Sequence, residues 1–247
     1  MAEFDRPTIA GARAGTAAVI DQGLRSYMLK VYNYMTVGLV VTGIVAYGAF
    51  AMAFDGSGQL TGFGQAIYLS PLKWVVMLAP LAFVLVLSFG IQKLSTSTAQ
   101  LLFWAFAAVM GLSLSSIFAV YTGGSIAKVF FITAGTFGAM SLYGYTTKRD
   151  LTQIGSFLIM GLIGIVIASL VNLFLQSDGL SFAISIVGVL VFVGLTAWDT
   201  QKIKESYNEA HGAELLAKGA IMGALSLYLD FINLFMMLLR LFGNQRN

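Results

Sequence analysis

The chain has 247 residues, of which 58% are hydrophobic and 10% charged, with no Cys and a single His, His211. A water-soluble globule of this size cannot hide so much apolar surface, so a soluble enzyme and a disordered chain are both excluded. The missing Cys removes disulfides, thiol catalysis and thiolate metal sites, and a net charge of +3 is too small to indicate nucleic acid.

Residues 1–30 hold no apolar core of the signal-peptide kind, and we expect a mobile cytoplasmic tail there. Residues 10–18 are rich in Gly and Ala, while 20–29 suit a short interfacial helix with Arg25 and Lys30 toward phospholipid headgroups. A helix needs roughly 20 apolar residues to cross about 30 Å of hydrocarbon. Long uncharged runs at 34–54, 74–91, 99–121, 129–145, 154–175 and 180–198 meet that need, separated by short turn-forming breaks such as 55–58, 95–98, 122–125 and 176–179. The runs are continuous and do not alternate with polar residues, so they are helices and not barrel strands. Pro80 lies inside the second and is expected to kink it.

A seventh run, 219–239, carries Asp230 at its twelfth residue. An Asp near mid-helix costs roughly 2.5–3.5 kcal/mol on insertion, and the Leu, Ile and Phe around it return roughly 3–6 kcal/mol. Near balance, the segment spans only where neighbouring helices shelter Asp230; the competing reading is a re-entrant hairpin. The expected architecture is an all-α membrane protein with the tail at 1–30 and a seven-helix transmembrane domain at 31–243.

Seven crossings place Arg6, Arg13, Arg25, Lys30, Lys93, Lys148, Arg149, Lys202, Lys204 and Lys218 on one side. Lys73, Lys128, Arg240 and Arg246 fall on the other. The basic side faces the cytoplasm, which puts the N-terminus inside and the C-terminus outside. Gly219 with Gly223, and Gly164 with Ala168, are small-residue pairs that let helices approach closely, and general tight packing accounts for them.

Ser226, Asp230, Asn233 and Met237 recur at helical spacing and share one face of the last run, a polar stripe suited to a bundle interior. Asp199 closes the sixth run. Two carboxylates brought together cannot both ionise cheaply, so they share one proton and form a switch near neutral pH. Fully ionised, they offer four oxygens toward the 6–8 that calcium takes, which suits transient passage better than storage. No catalytic set is expected: His211 lies in a charged loop, and Ser113, Ser115 and Ser116 have no base nearby and read as packing residues.

The segment 225–243, LSLYLDFINLFMMLLRLFG, closely resembles the last helix of the transmembrane Bax inhibitor motif family. The run 198–204, WDTQKIK, resembles that family's sixth-helix signature, and 24–43, beginning LRSYMLKVYNYMTVGL, looks like the start of the first helix in bacterial members. The resemblance implies six helices around a central seventh, in a bacterial inner membrane. It also implies a calcium leak controlled by pH through an aspartate pair, which falls on Asp199 and Asp230. Arg240 matches an arginine of an outer latch whose partner is a second-helix carboxylate, but 72–91 contains no Asp or Glu. The resemblance also implies a basic residue near the cytoplasmic end of the second helix that can pair with the aspartates, for which Lys93 is the nearest candidate.

The partners implied are the lipid bilayer, calcium as the transported ion, and protons, with no cofactor. Proton/calcium exchange is a second reading. A third is an interaction protein that engages a membrane protease or stress pathway through its tail. One tension is geometric: Asp199 lies about 28 Å from the outer start of its run and Asp230 only about 18 Å from Phe242. For the two to touch, the sixth helix must tilt or begin further out, or the seventh must sit lower.

Overall fold

The structure is a computed structural model that describes the backbone of residues 8–246 and the side chains of 22–246. Residues 1–7, the start of the expected tail, and the side chains through residue 21 lie outside the described residues. The chain forms α1 (Thr8–Ala53), α2 (Gly62–Tyr68), α3 (Leu72–Gly90), α4 (Thr96–Leu114), α5 (Ile117–Val120), α6 (Gly123–Thr146), α7 (Thr152–Leu175), α8 (Asp178–Glu205) and α9 (Ala213–Phe242). Seven crossings result, with α4 and α5 together making the third. Each expected apolar run is matched by one of them.

The breaks are set by local chemistry. Thr61, Ser95 and Ser177 precede α2, α4 and α8, and each accepts a hydrogen bond from a backbone N–H in the first turn of its helix. α7 ends where Gln176 adopts a left-handed conformation, φ 50°. Several boundaries depart from the expected ones. The helix of the first span does not start at residue 34: residues 22–29 already belong to α1, and Tyr27, Met28 and Val31 are buried in the bundle. With no Pro in this stretch and an apolar stripe already in register, nothing separates an interfacial helix from the span. The third span breaks at Ser115, whose hydroxyl turns back onto the Leu112 carbonyl at 2.7 Å and meets Tyr68 Oη at 2.9 Å. α3 continues through Pro80.

Packing makes α9 the axis of the molecule. Buried residues make up 72% of its most apolar window, against 6% for α7. α9 packs against α1, α4, α6 and α8, while α7 joins the bundle through α8. The two ends of α9 sit at opposite ends of the bundle. Near its start, Gly219 lies against Tyr27, which stacks at 5.4 Å on Tyr207 of the α8–α9 loop. Beyond its end, Gln245 pairs with Tyr121 and Asn244 donates its N–H to Ser125 Oγ at 2.8 Å, both at the α5–α6 turn. A single unbroken helix therefore crosses, and the re-entrant alternative is excluded.

Small residues permit the closest crossings. A side chain at Gly144 of α6 would strike the Ala197 backbone of α8, and one at Gly111 of α4 would lie 2.5 Å from the Thr42 carbonyl of α1. Of the two expected small-residue pairs, Gly219 and Gly223 are packed, against Tyr27 and Ile203, whereas Gly164 faces open space.

Candidate functional site

α8 and α9 form an antiparallel hairpin, and their register decides what Asp199 and Asp230 meet. Gly188 lies opposite Met237 and Ile203 opposite Gly223. Counting along both helices from these contacts puts Asp199 level with residues 226–227, within one helical turn of Asp230, so that the two side chains can meet. The depth conflict is resolved by stagger: α9 sits lower, and its residues 213–220 run about 12 Å past the end of α8. The seven-residue loop 206–212 is long enough to make the descent. α8 also runs on to Glu205, well past Trp198, because the polar sequence DTQKIKE is still anchored. Thr196 and Thr200 bond back to the carbonyls of Phe192 and Thr196, each at 2.7 Å. Buried Gln201 accepts from Leu151 N–H and donates to the Arg149 carbonyl, both at 2.8 Å.

The two carboxyl groups are in hydrogen-bonding contact. Asp230 is 5% exposed and Asp199 is half-buried. Among the described residues, Asp230 Oδ2 is the buried side-chain oxygen that finds no donor. Two ionised carboxylates are acceptors only, so this contact is satisfied once a proton lies between them. Without that proton, a buried acceptor faces like charge in a low-dielectric setting. Lys202, one turn beyond Asp199, is the cation beside it, and its Nζ lies 4.9 Å from the centre of the Trp198 ring.

The other expected site residues separate. Lys93 is exposed in the turn between α3 and α4, and the cation near the pair is Lys202, because the register of α8 carries its own Lys to that level. The stripe on α9 splits as well. Asp230 and Met237 are buried, whereas Ser226 and Asn233 are half-buried, with Asn233 Nδ2 bonded to the Leu229 carbonyl at 2.8 Å. Among the described residues no third His, Asp or Glu joins the pair to form a metal-ligating cluster.

Arg240 lies at the far end of the same hairpin, where it lines a cavity of about 790 Å³ with Asn172, Asp178, Ser181 and Ser185. The acid sharing that cavity comes from the start of α8, not from the second span. Between cavity and aspartate pair the hairpin is packed with apolar side chains. Val191, Phe192, Leu195, Leu234 and Leu238 are buried, and Met237 fills the space left by Gly188. Two polar links went unrecognised in the sequence. Tyr228 Oη meets Thr42 Oγ1 at 2.6 Å, and Thr42 donates to the Ala107 carbonyl at 2.8 Å, tying α9 to α1 and α4. Tyr32, Ser141 and Thr200 form a chain of contacts at 2.6 and 3.0 Å that ends beside Asp199. The signal available was hydroxyl residues inside otherwise apolar runs.

Fold and site together define an integral membrane protein of seven helices with an acid pair built into its central hairpin. The chain belongs to the family described as inhibitor of apoptosis-promoting Bax1, which matches residues 24–247. It is 53% identical over 226 residues to the inner membrane protein YbhL of Escherichia coli, covering 91% of this chain and 94% of that one. It is also 52% identical over 229 residues to an uncharacterized protein, RP147, of Rickettsia prowazekii, covering 92% and 93%. An uncharacterized protein of Deinococcus radiodurans is 40% identical over 228 residues, covering 92% and 94%.

Proposed function

We propose that the protein is a pH-sensitive calcium leak of a bacterial inner membrane, closed while one proton is held between Asp199 and Asp230. The observation that carries this reading is the contact of the two carboxyls, one deeply buried with an oxygen that lacks a donor. Loss of the shared proton leaves two negative charges touching, and their repulsion drives α8 and α9 apart at that level. Lys202 offsets part of the charge on the side nearer the α8–α9 loop. The freed carboxylates then present hard oxygen ligands to calcium, which completes its shell with backbone carbonyls and water. The cavity at Arg240 and Asp178 serves as the outer vestibule, and the apolar layer around Met237 is the segment the ion must pass once the hairpin loosens.

The excess of Lys and Arg at the α8–α9 end supports an orientation with the N-terminus and the pair toward the cytoplasm. The printed name of the E. coli relative supports the choice of membrane. The test is calcium uptake into liposomes containing the purified protein, measured at acid and at neutral pH. Uptake that rises toward neutral pH and exceeds that of empty liposomes is the expected result. Flux no greater than in empty liposomes at either pH rejects the reading.

A further inference from the structure

A second cavity, of about 660 Å³, opens sideways between α1 and α6 and has no part in the proposed ion route. Its floor is Phe231 of α9, and Met28, Met35 and Phe137 line its apolar walls. Arg25 is the charged side chain among its lining residues, and it stands at the end nearer the α8–α9 loop. Lys204 brings a second cation to that end, donating to the Tyr145 carbonyl at 2.9 Å. From Arg25 to Leu39, fourteen residues along α1, the groove runs about 21 Å. One leaflet, half of a hydrocarbon core of about 30 Å plus its headgroup layer, has about that depth. Leu29 and Leu142 at the rim are 53% and 63% exposed, so the opening faces the acyl region of the bilayer.

We propose that this groove binds one anionic phospholipid of the leaflet at the α8–α9 end, its headgroup at Arg25 and Lys204 and an acyl chain over Phe231. Charge and shape agree on this occupant: a cationic end at headgroup depth, and apolar walls below it. Gly138 keeps the groove open, since a side chain added there meets nothing within 4 Å.

The experiment is native mass spectrometry of the protein in neutral detergent, titrated with phosphatidylglycerol or phosphatidylcholine bearing identical dioleoyl chains. One phosphatidylglycerol is expected to be retained about five- to thirtyfold more tightly than phosphatidylcholine, the worth of one or two basic contacts. Arg25→Gln is expected to weaken that preference and Arg25→Gln combined with Lys204→Gln to erase it, and Gly138→Phe to expel either lipid while the thermal unfolding temperature holds. Thr36→Trp fills the groove from the opposite wall and gives the same readout should Gly138→Phe fail to fold. Equal retention of the two lipids by the unaltered protein overturns the proposal. So does a preference that survives a filled groove, or a lipid-free dimer in which a second copy occupies the space. None of these readouts depends on calcium flux.

Discussion

The two ends of the α8–α9 hairpin are both polar and are built in opposite ways. At the cavity end, Arg240 and Asp178 line an open space beside Asn172 and Ser181, whose side chains bond to each other at 2.7 Å. At the other end, Asp199 and Asp230 are pressed together with no donor for one buried oxygen. Charges in a roomy polar cavity are solvated and interact weakly. Charges in a dry contact depend on each other's protonation. The same helix pair thus separates an open polar cavity from a closed contact between two acids.

The largest expected effect breaks this asymmetry directly. Asp230→Asn supplies a permanent N–H donor to Asp199 and removes the titration, so calcium flux should lose its dependence on pH. Flux through the unaltered protein should rise on the order of tenfold from a mostly protonated to a mostly ionised pair. Asp178→Asn at the cavity end should leave that rise in place and change only the amount of flux. Equal loss of pH response in both variants would show that the two ends do not differ in the way their packing implies.

A second contrast is between the crowded axis and the lipid-facing rim. Gly144→Leu forces a side chain into the Ala197 backbone and should cost about 1–3 kcal/mol or more. Gly164→Leu, whose new side chain meets open space, should stay within about 0.5 kcal/mol. Thermal unfolding in detergent reads both, and a large loss at Gly164 would mean that α7 packs against more than α8.

These contrasts mark how far the residues alone could lead. The seven crossings were legible because each is a long apolar run, and the central place of α9 followed from the need to shelter Asp230. Helix ends were less legible: DTQKIKE reads the same by composition whether it continues α8 or forms a loop, and only the tertiary bonds of Gln201 settle it. The acid pair could be named but not placed, since its contact depends on a stagger set by Gly188 against Met237 and Gly223 against Ile203. The cation beside Asp199, Lys202, was likewise hidden, because the resemblance points to the second helix and not to α8 itself. The groove between α1 and α6 was invisible, because an unfilled space leaves no mark on hydropathy.

A smaller effect separates the two halves of one buried link. Thr42→Val leaves the Tyr228 hydroxyl, now buried without its partner, and should cost about 1–3 kcal/mol. Tyr228→Phe leaves Thr42 still bonded to the Ala107 carbonyl and should cost nearer 1 kcal/mol. Equal losses in a detergent unfolding series would mean that Thr42 does not hold its second bond.

The smallest effect lies outside the bilayer and offers a control for any pH experiment on the aspartate pair. Asp55 closes the turn after α1: its Oδ1 accepts from Ser57 Oγ at 2.6 Å and from the N–H groups of Ser57 and Gln59, each at 2.9 Å. Gly58 completes the turn at φ 79°, where a side chain would be strained. The Ser57 hydroxyl first, then the Gln59 N–H, hold the Asp55 carboxyl below its ordinary value of 3.8. A lowered value means that the ionised form is favoured by the folded turn. Its contribution is therefore complete above the ordinary carboxylate range and is lost as pH falls through the lowered value. With both pH values of the flux experiment kept above the ordinary carboxylate range, Asp55 stays ionised throughout and contributes no titration. Asp55→Ala should accordingly speed hydrogen exchange at residues 55–61 while leaving the pH response of calcium flux unchanged. A shifted flux profile in that variant would move part of the pH sensitivity from the buried pair to the surface.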